Sequence, residues 1–133
     1  MSNLVSELKS EHETIVNILT EVKNLGITTK EAQELLMSAK AGLLAHLAKE
    51  DKQLYPTLQK EAENNTSLKS TLDTYADEMN GISQAALDFF DKYRSGGDGL
   101  EFAKDFGRLF ATLASRIRKE ESVIYTKYDE LVH

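Results

Sequence analysis

Apolar residues recur at intervals of three and four along almost the whole chain, a spacing that places them on one side of a helix. Four such stretches are separated by short polar or glycine-containing segments. One proline and seven glycines among 133 residues leave few of the turns that a β-rich fold requires. The pattern therefore predicts an all-α protein: an antiparallel up-down-up-down four-helix bundle, in a single domain over residues 1–133.

Turn and capping residues indicate where the four predicted helices begin and end. The helices are expected to cover about 3–24, 28–63, 67–94 and 98–132. Thr28 with Glu31, and Asp98 with Glu101, form capping boxes at the starts of the second and fourth helices. Pro56 is expected to kink the second helix or to end its first part.

Ionisable residues interrupt the apolar stripes at five positions: His12, His46, Glu50, Arg116 and Glu120. Burial of an unpaired charge is costly, so these residues predict a functional or ion-paired cluster inside the bundle. His46 and Glu50 lie one turn apart on the same helix face. Two imidazoles and two carboxylates form a donor set that suits iron, manganese, cobalt or zinc, whereas calcium prefers more oxygen ligands.

The chain also contains an internal repeat. Residues 46–55 align with residues 116–125, and Glu11-His12 aligns with Glu78-Met79. The halves 1–63 and 64–133 are therefore predicted to be two helical hairpins related by a pseudo-twofold axis, with the cluster residues facing each other. Tyr55 and Tyr125 match in the repeat and are expected to pack near the cluster.

These elements resemble the hemerythrin-like (HHE cation-binding) domain family over nearly the whole chain. The matching pieces are Glu11-His12, His46-x-x-x-Glu50 followed by Leu54-Tyr55-Pro56, and Glu120 with Tyr125. In that family, each half supplies histidines to one iron, and two glutamates bridge both irons. The resemblance implies that His12 and His46 hold one metal and that Glu50 and Glu120 are the bridging carboxylates.

The second half departs from the family pattern. Met79 and Arg116 stand where the imidazoles of the second metal would be. We therefore expect one iron ion per chain in preference to two, with Arg116 replacing the second ion by pairing with Glu50, Glu120 or both. Such a site is expected to bind or sense a small ligand such as O2 or NO. Oxygen carriage is disfavoured, because in the family it draws on both irons.

A metal-free bundle is the alternative, with an Arg116–Glu50–Glu120 salt-bridge core and a structural or interaction role. An enzyme is the least favoured function, since no nucleophile–base pair, phosphate loop or dinucleotide motif is present. In either case Asp51 and Glu121 are expected to face solvent.

The remaining composition restricts location and partners. A net charge of −6 disfavours nucleic acid and anionic membranes, and no apolar run approaches the ~20 residues that span a bilayer. The chain has no cysteine, and its first residues lack a signal-peptide pattern, so we expect a cytoplasmic protein. No protein partner can be named, and the terminal His133 is expected to be disordered.

Overall fold

The computed structural model describes residues 2–132, which form six α-helices and no strand. The helices are α1 (Asn3–Leu25), α2 (Lys30–Lys49), α3 (Tyr55–Ala62), α4 (Thr66–Tyr93), α5 (Gly99–Lys119) and α6 (Tyr125–Leu131). Single π turns, Glu50–Leu54 and Glu120–Ile124, join α2 to α3 and α5 to α6 without a break. Four helical rods result, which confirms the predicted all-α four-helix bundle. His133 lies outside the described residues.

Short polar side chains cap the starts of the rods, and the cap predicted at Asp98 is confirmed. The hydroxyl of Ser2 accepts the N–H of Val5, the Asn65 side chain accepts that of Leu68, and Asp98 accepts that of Glu101. The predicted cap at Thr28 is wrong by one residue. Thr29 caps α2 instead, because its hydroxyl accepts the N–H of Ala32 while donating to the carbonyl of Gly26.

The two π turns occupy equivalent positions in the repeat, and each begins at a buried glutamate, Glu50 or Glu120. Pro56 lies near the start of α3 just after the first π turn, but Thr126 occupies the matching place in the second half. The π turn is therefore not caused by the proline, and the helix continues through it. A π turn pairs residues five apart, which brings Tyr125 back over Glu120.

The core consists of two apolar clusters. The larger lies at the end of the bundle that holds the α1–α2 and α4–α5 loops and is rich in aromatic rings: Phe89, Phe90, Tyr93, Phe102 and Phe106 pack there. The smaller lies at the opposite end and includes Val5, Leu8, Leu54, Leu58, Leu72, Ile124 and Tyr125. The five buried ionisable residues lie on three of the rods, and on each of these they fall between the two clusters. The bundle therefore contains a polar layer between apolar ones.

The observed burial differs from the predicted stripes in two places. Val123 is exposed and Ile124 is buried instead, because the π turn shifts the register of the last rod by one residue. In the middle of α4, no residue between Leu72 and Ala86 is buried, although the apolar spacing that predicts this helix continues through Met79 and Ile82. Within residues 2–132, no helix combines the length and apolar character needed to cross a bilayer.

Candidate metal centre

The polar layer brings together side chains from three of the four rods, and α4 contributes none of the five buried ionisable residues. His12 projects from α1, His46 from the last turn of α2, Arg116 from α5, and Glu50 and Glu120 from the starts of the two π turns. All five are at most 6% exposed. Each position was predicted from the sequence, because each interrupts an apolar stripe.

His46 is held by a carboxylate on the neighbouring helix. Its Nδ1 lies 2.8 Å from Oε1 of Glu11, and Lys49 forms an ion pair with the other oxygen of Glu11. An ionised carboxylate can only accept, so Nδ1 carries the proton and Nε2 carries a lone pair. That Nε2 is buried and has no hydrogen-bond partner among residues 2–132.

His12 is held in the same way from the opposite half. Its Nδ1 lies 2.8 Å from Oε2 of Glu121, which fixes the Nδ1–H and directs Nε2 inward, 3.2 Å from Oε1 of Glu120. The expectation that Glu121 faces solvent is wrong, because the π turn swings this residue toward α1. Carboxylates that orient imidazoles in this way are typical partners of metal-bound histidines.

A tyrosine joins the two buried carboxylates. The Tyr125 hydroxyl is 2.8 Å from Oε2 of Glu50, 2.8 Å from Oε1 of Glu120 and 3.3 Å from Nε2 of His12. Tyr55 donates to the other oxygen of Glu120 at 3.3 Å. Both tyrosines therefore lie at the cluster, where the repeat placed them.

The metal-free cluster retains protons that metal binding would displace. Burial disfavours charge on His12, but the hydrogen bonds and negative charges of Glu120 and Glu121 prevail and raise its pKa. Burial lowers the pKa of His46. Burial and the charge of Glu120 raise the pKa of Glu50 to about 9. Burial alone would raise the pKa of Glu120, but hydrogen bonds from its neighbours lower it.

The donor atoms fit a metal ion. His12, His46 and Glu120 each present one ligand atom, and these atoms lie within 4.8 Å of one another. In the described part of the chain, Oε1 of Glu50 also lacks a hydrogen-bond partner and lies 3.5 Å from Nε2 of His46. A proton or a metal ion between these two buried atoms would satisfy both of them. The residues present therefore suit a divalent ion.

Arg116 does not pair with the buried glutamates. Its guanidinium forms an ion pair with Glu78, donates to the carbonyl of Tyr75 at 3.3 Å and stacks on the Tyr75 ring, 4.0 Å from its centroid. Within residues 2–132, no ion pair joins it to Glu50 or Glu120. The predicted Arg116–Glu50–Glu120 core is therefore wrong, because Glu78 on α4 offers a half-exposed carboxylate whose desolvation costs less.

A cleft lies beside Glu50 in the half of the bundle that contains Met79. A cleft of about 490 Å³ runs between the first π turn, α3 and α4, and Glu50, Asp51, Tyr55 and Met79 contribute to its wall. Met79, where the family pattern has an imidazole, is only partly buried. Glu50 thus borders this cleft as well as the histidines.

A separate, much smaller cavity adjoins the histidines. It has a volume of about 40 Å³, which corresponds to a molecule of a few heavy atoms. Its wall is almost wholly apolar, formed by residues that include Ile15, Leu19, Leu43, Leu113 and Ala114, and it also touches His12, His46, Arg116 and Glu120.

Three carboxylates of the centre were missed by the sequence analysis: Glu11, Glu78 and Glu121. A signal for two of them was present in the repeat, where Glu11 and Glu78 occupy equivalent positions just before His12 and Met79. In the structure, Glu11 contacts the imidazole of His46 and Glu78 contacts the guanidinium of Arg116. His46 and Arg116 occupy equivalent positions in the repeat.

One family model matches the chain. Its description is hemerythrin HHE cation binding domain, and the match covers residues 3–128. No curated protein and no solved structure matches. The matched range contains both hairpins and every residue of the polar layer.

Removing either orienting carboxylate should weaken metal binding. We expect Glu11→Ala and Glu121→Ala each to lower metal affinity about 10- to 100-fold, because the imidazole loses the partner that fixes its tautomer and orientation. Competition with a chromophoric chelator measures the change. Glu13→Ala, an exposed glutamate on the same helix, is the matched control. Equal affinities for all three variants would contradict the assignment of the two carboxylates.

Proposed function

The chain belongs to the hemerythrin HHE cation-binding domain family, and from this membership we propose that it binds one iron ion and, through it, a small ligand such as O2 or NO. The proposed ligands are His12, His46, Glu120 and Glu50. The observation that carries the proposal is the pair of buried Nε2 atoms, on His12 and His46, that converge with a carboxylate oxygen of Glu120. Both imidazoles are fixed in this orientation by carboxylates before any ion arrives.

The chemistry of the donor set supports iron. Two imidazoles with carboxylate oxygens suit iron, manganese, cobalt or zinc, and ferrous iron with open positions is the member of this group suited to diatomic gases. When bound, iron would supply a redox-active Lewis acid. Glu120 and Glu50 would balance its charge, His12 and His46 would complete its nitrogen ligands, and the apolar residues around them would limit access by water.

The second half of the chain supports one ion and not two. A second ion would need nitrogen donors from α4 and α5, where Met79 is a poor ligand beside carboxylates and Arg116 is a permanent cation. Arg116 is also already paired with Glu78 and stacked on Tyr75. A single ferrous ion has one electron to give, which favours binding or sensing over the two-electron uptake of oxygen.

The small apolar cavity supports a diatomic ligand. It touches three of the proposed metal ligands, and its volume of about 40 Å³ excludes organic substrates. An apolar cavity of this kind does not stabilise water well, so it remains available for an uncharged gas. Val16, Leu113 and Ala114 form part of the wall on the side of α1 and α5.

A metal-free interaction module is the second candidate. It is favoured by the Tyr125 hydroxyl, which bridges Glu50 and Glu120 at 2.8 Å each and so satisfies part of the cluster without an ion. In that form the proton retained by Glu50 and the charge on His12 would offset the negative charge of Glu120.

Metal content distinguishes the two candidates. We expect about one iron per chain in protein purified without a chelating column and incubated anaerobically with ferrous iron. His46→Ala should lose the iron, because it removes an oriented nitrogen donor, whereas the exposed control Gln53→Ala should retain it. Elemental mass spectrometry gives the ratio. Two tightly bound ions, or none in the wild type, would contradict the proposal.

Filling the small cavity should weaken gas binding without removing the metal. We expect Ala114→Phe to lower NO affinity of the ferrous protein about tenfold or more, because the ligand would have to displace the ring from a packed site. Ala111→Phe, an exposed position one turn earlier on α5, is the control. Both variants should keep the wild-type iron content, and an unchanged NO affinity in Ala114→Phe would place the gas elsewhere.

Metal binding should release protons at neutral pH. Because the pKa of Glu50 reaches about 9, the metal-free protein holds a proton on this residue at pH 7, and the raised pKa of His12 favours a proton on that ring as well. Bound ligands must be deprotonated, so protons should leave on binding and metal affinity should rise with pH. Calorimetry in buffers of different ionisation enthalpy measures the release. No release at pH 7 would mean that Glu50 and His12 are not both ligands.

A further inference from the structure

Tyr125 contacts three of the proposed metal ligands. It is fully buried, and its hydroxyl lies against His12, Glu50 and Glu120. The stacked rings of His12 and Tyr125, with centroids 5.6 Å apart, hold the phenol in this place. The phenol has one proton to donate, so its oxygen faces at least two of these three polar atoms without donating to them.

The distances match those between neighbouring ligands of one ion. Ligand atoms bound at about 2.0–2.2 Å with angles near 90–110° lie roughly 2.8–3.6 Å apart. The Tyr125 oxygen is 2.8 Å from Glu120 Oε1 and 3.3 Å from His12 Nε2, and these two atoms are 3.2 Å from each other. The three atoms therefore form a triangle of the size that one face of a coordination sphere has.

We propose that Tyr125 is itself a metal ligand, and that its phenolate oxygen binds ferric iron together with His12, His46 and Glu120. This inference rests on the proposed iron site and deepens it. On binding, the O–H bond of Tyr125 breaks, an oxygen–metal bond forms and the proton passes to the buffer. No electron is transferred in this step, and the positive charge of the ion stabilises the phenolate anion of Tyr125 that forms.

Phenolate ligation would bias the site toward the ferric state. A phenolate is a hard anionic donor, and together with Glu120 it stabilises the higher charge of ferric iron more than that of ferrous iron. Phenolate ligation would therefore lower the reduction potential of the iron-loaded site.

The chain contains its own control. Tyr55 occupies the repeat-equivalent position, but among residues 2–132 its hydroxyl hydrogen-bonds only Oε2 of Glu120, at 3.3 Å, and neither imidazole. Tyr55 is therefore expected to remain a hydrogen-bond donor when the ion is bound. Loss of Tyr55 should leave any phenolate signal in place.

The test is optical spectroscopy of protein loaded with ferric iron, with iron content measured on the same samples. The wild type and Tyr55→Phe should show a visible charge-transfer band, and excitation within it should enhance phenolate ring vibrations in the Raman spectrum. Tyr125→Phe should bind iron, lose both signals and have a higher reduction potential. If Tyr125→Phe does not fold, the Raman bands of the wild type and their persistence in Tyr55→Phe and Tyr75→Phe carry the assignment.

The outcomes separate this inference from the proposed function. One iron per chain without phenolate bands in the wild type overturns the ligand assignment and leaves the iron site standing. Bands that persist in Tyr125→Phe overturn it too. Protein that takes up no iron overturns the proposed function and the inference together.

Discussion

Two carboxylates buried side by side, Glu50 and Glu120, set the constraint on which the rest of the bundle depends. In the low dielectric of the interior, their repulsion must be offset by a proton, by hydrogen-bond donors or by a cation. The phenol of Tyr125 lies between them, His12 approaches one of them, and the pKa of Glu50 is raised so that it holds a proton. A metal ion would satisfy the same requirement with all protons released.

Two π turns in the backbone make this arrangement possible. Each begins at one of the buried glutamates and shifts the following helix by one residue. In the second half, this shift buries Ile124 in place of Val123 and turns Glu121 toward His12. Extra turns of this kind are frequent at functional sites, where they aim side chains that a regular α-helix could not.

The two halves of the chain have the same helical arrangement but differ in the side chains at equivalent buried positions. A carboxylate on the first helix of each hairpin, Glu11 or Glu78, contacts the next helix, where it meets His46 in one half and Arg116 in the other. Arg116 is a permanent cation where the first half has the ring of His46, and its side chain turns toward Glu78 on α4 and away from the buried glutamates. A cleft lies beside Glu50 and Met79, and the side chains around the two buried glutamates are therefore asymmetric.

The sequence by itself determined the helical fold, the repeat and the five buried ionisable positions, because helix periodicity and the cost of buried charge are both readable along one chain. It could not determine which partner each charged side chain takes. Arg116 could equally have met Glu50 or Glu78, and Glu121 could have faced water, since those outcomes depend on distances between rods and on a one-residue register shift. Only the tertiary structure decided them, because competition between partners is resolved by packing, and packing is a property of the assembled bundle.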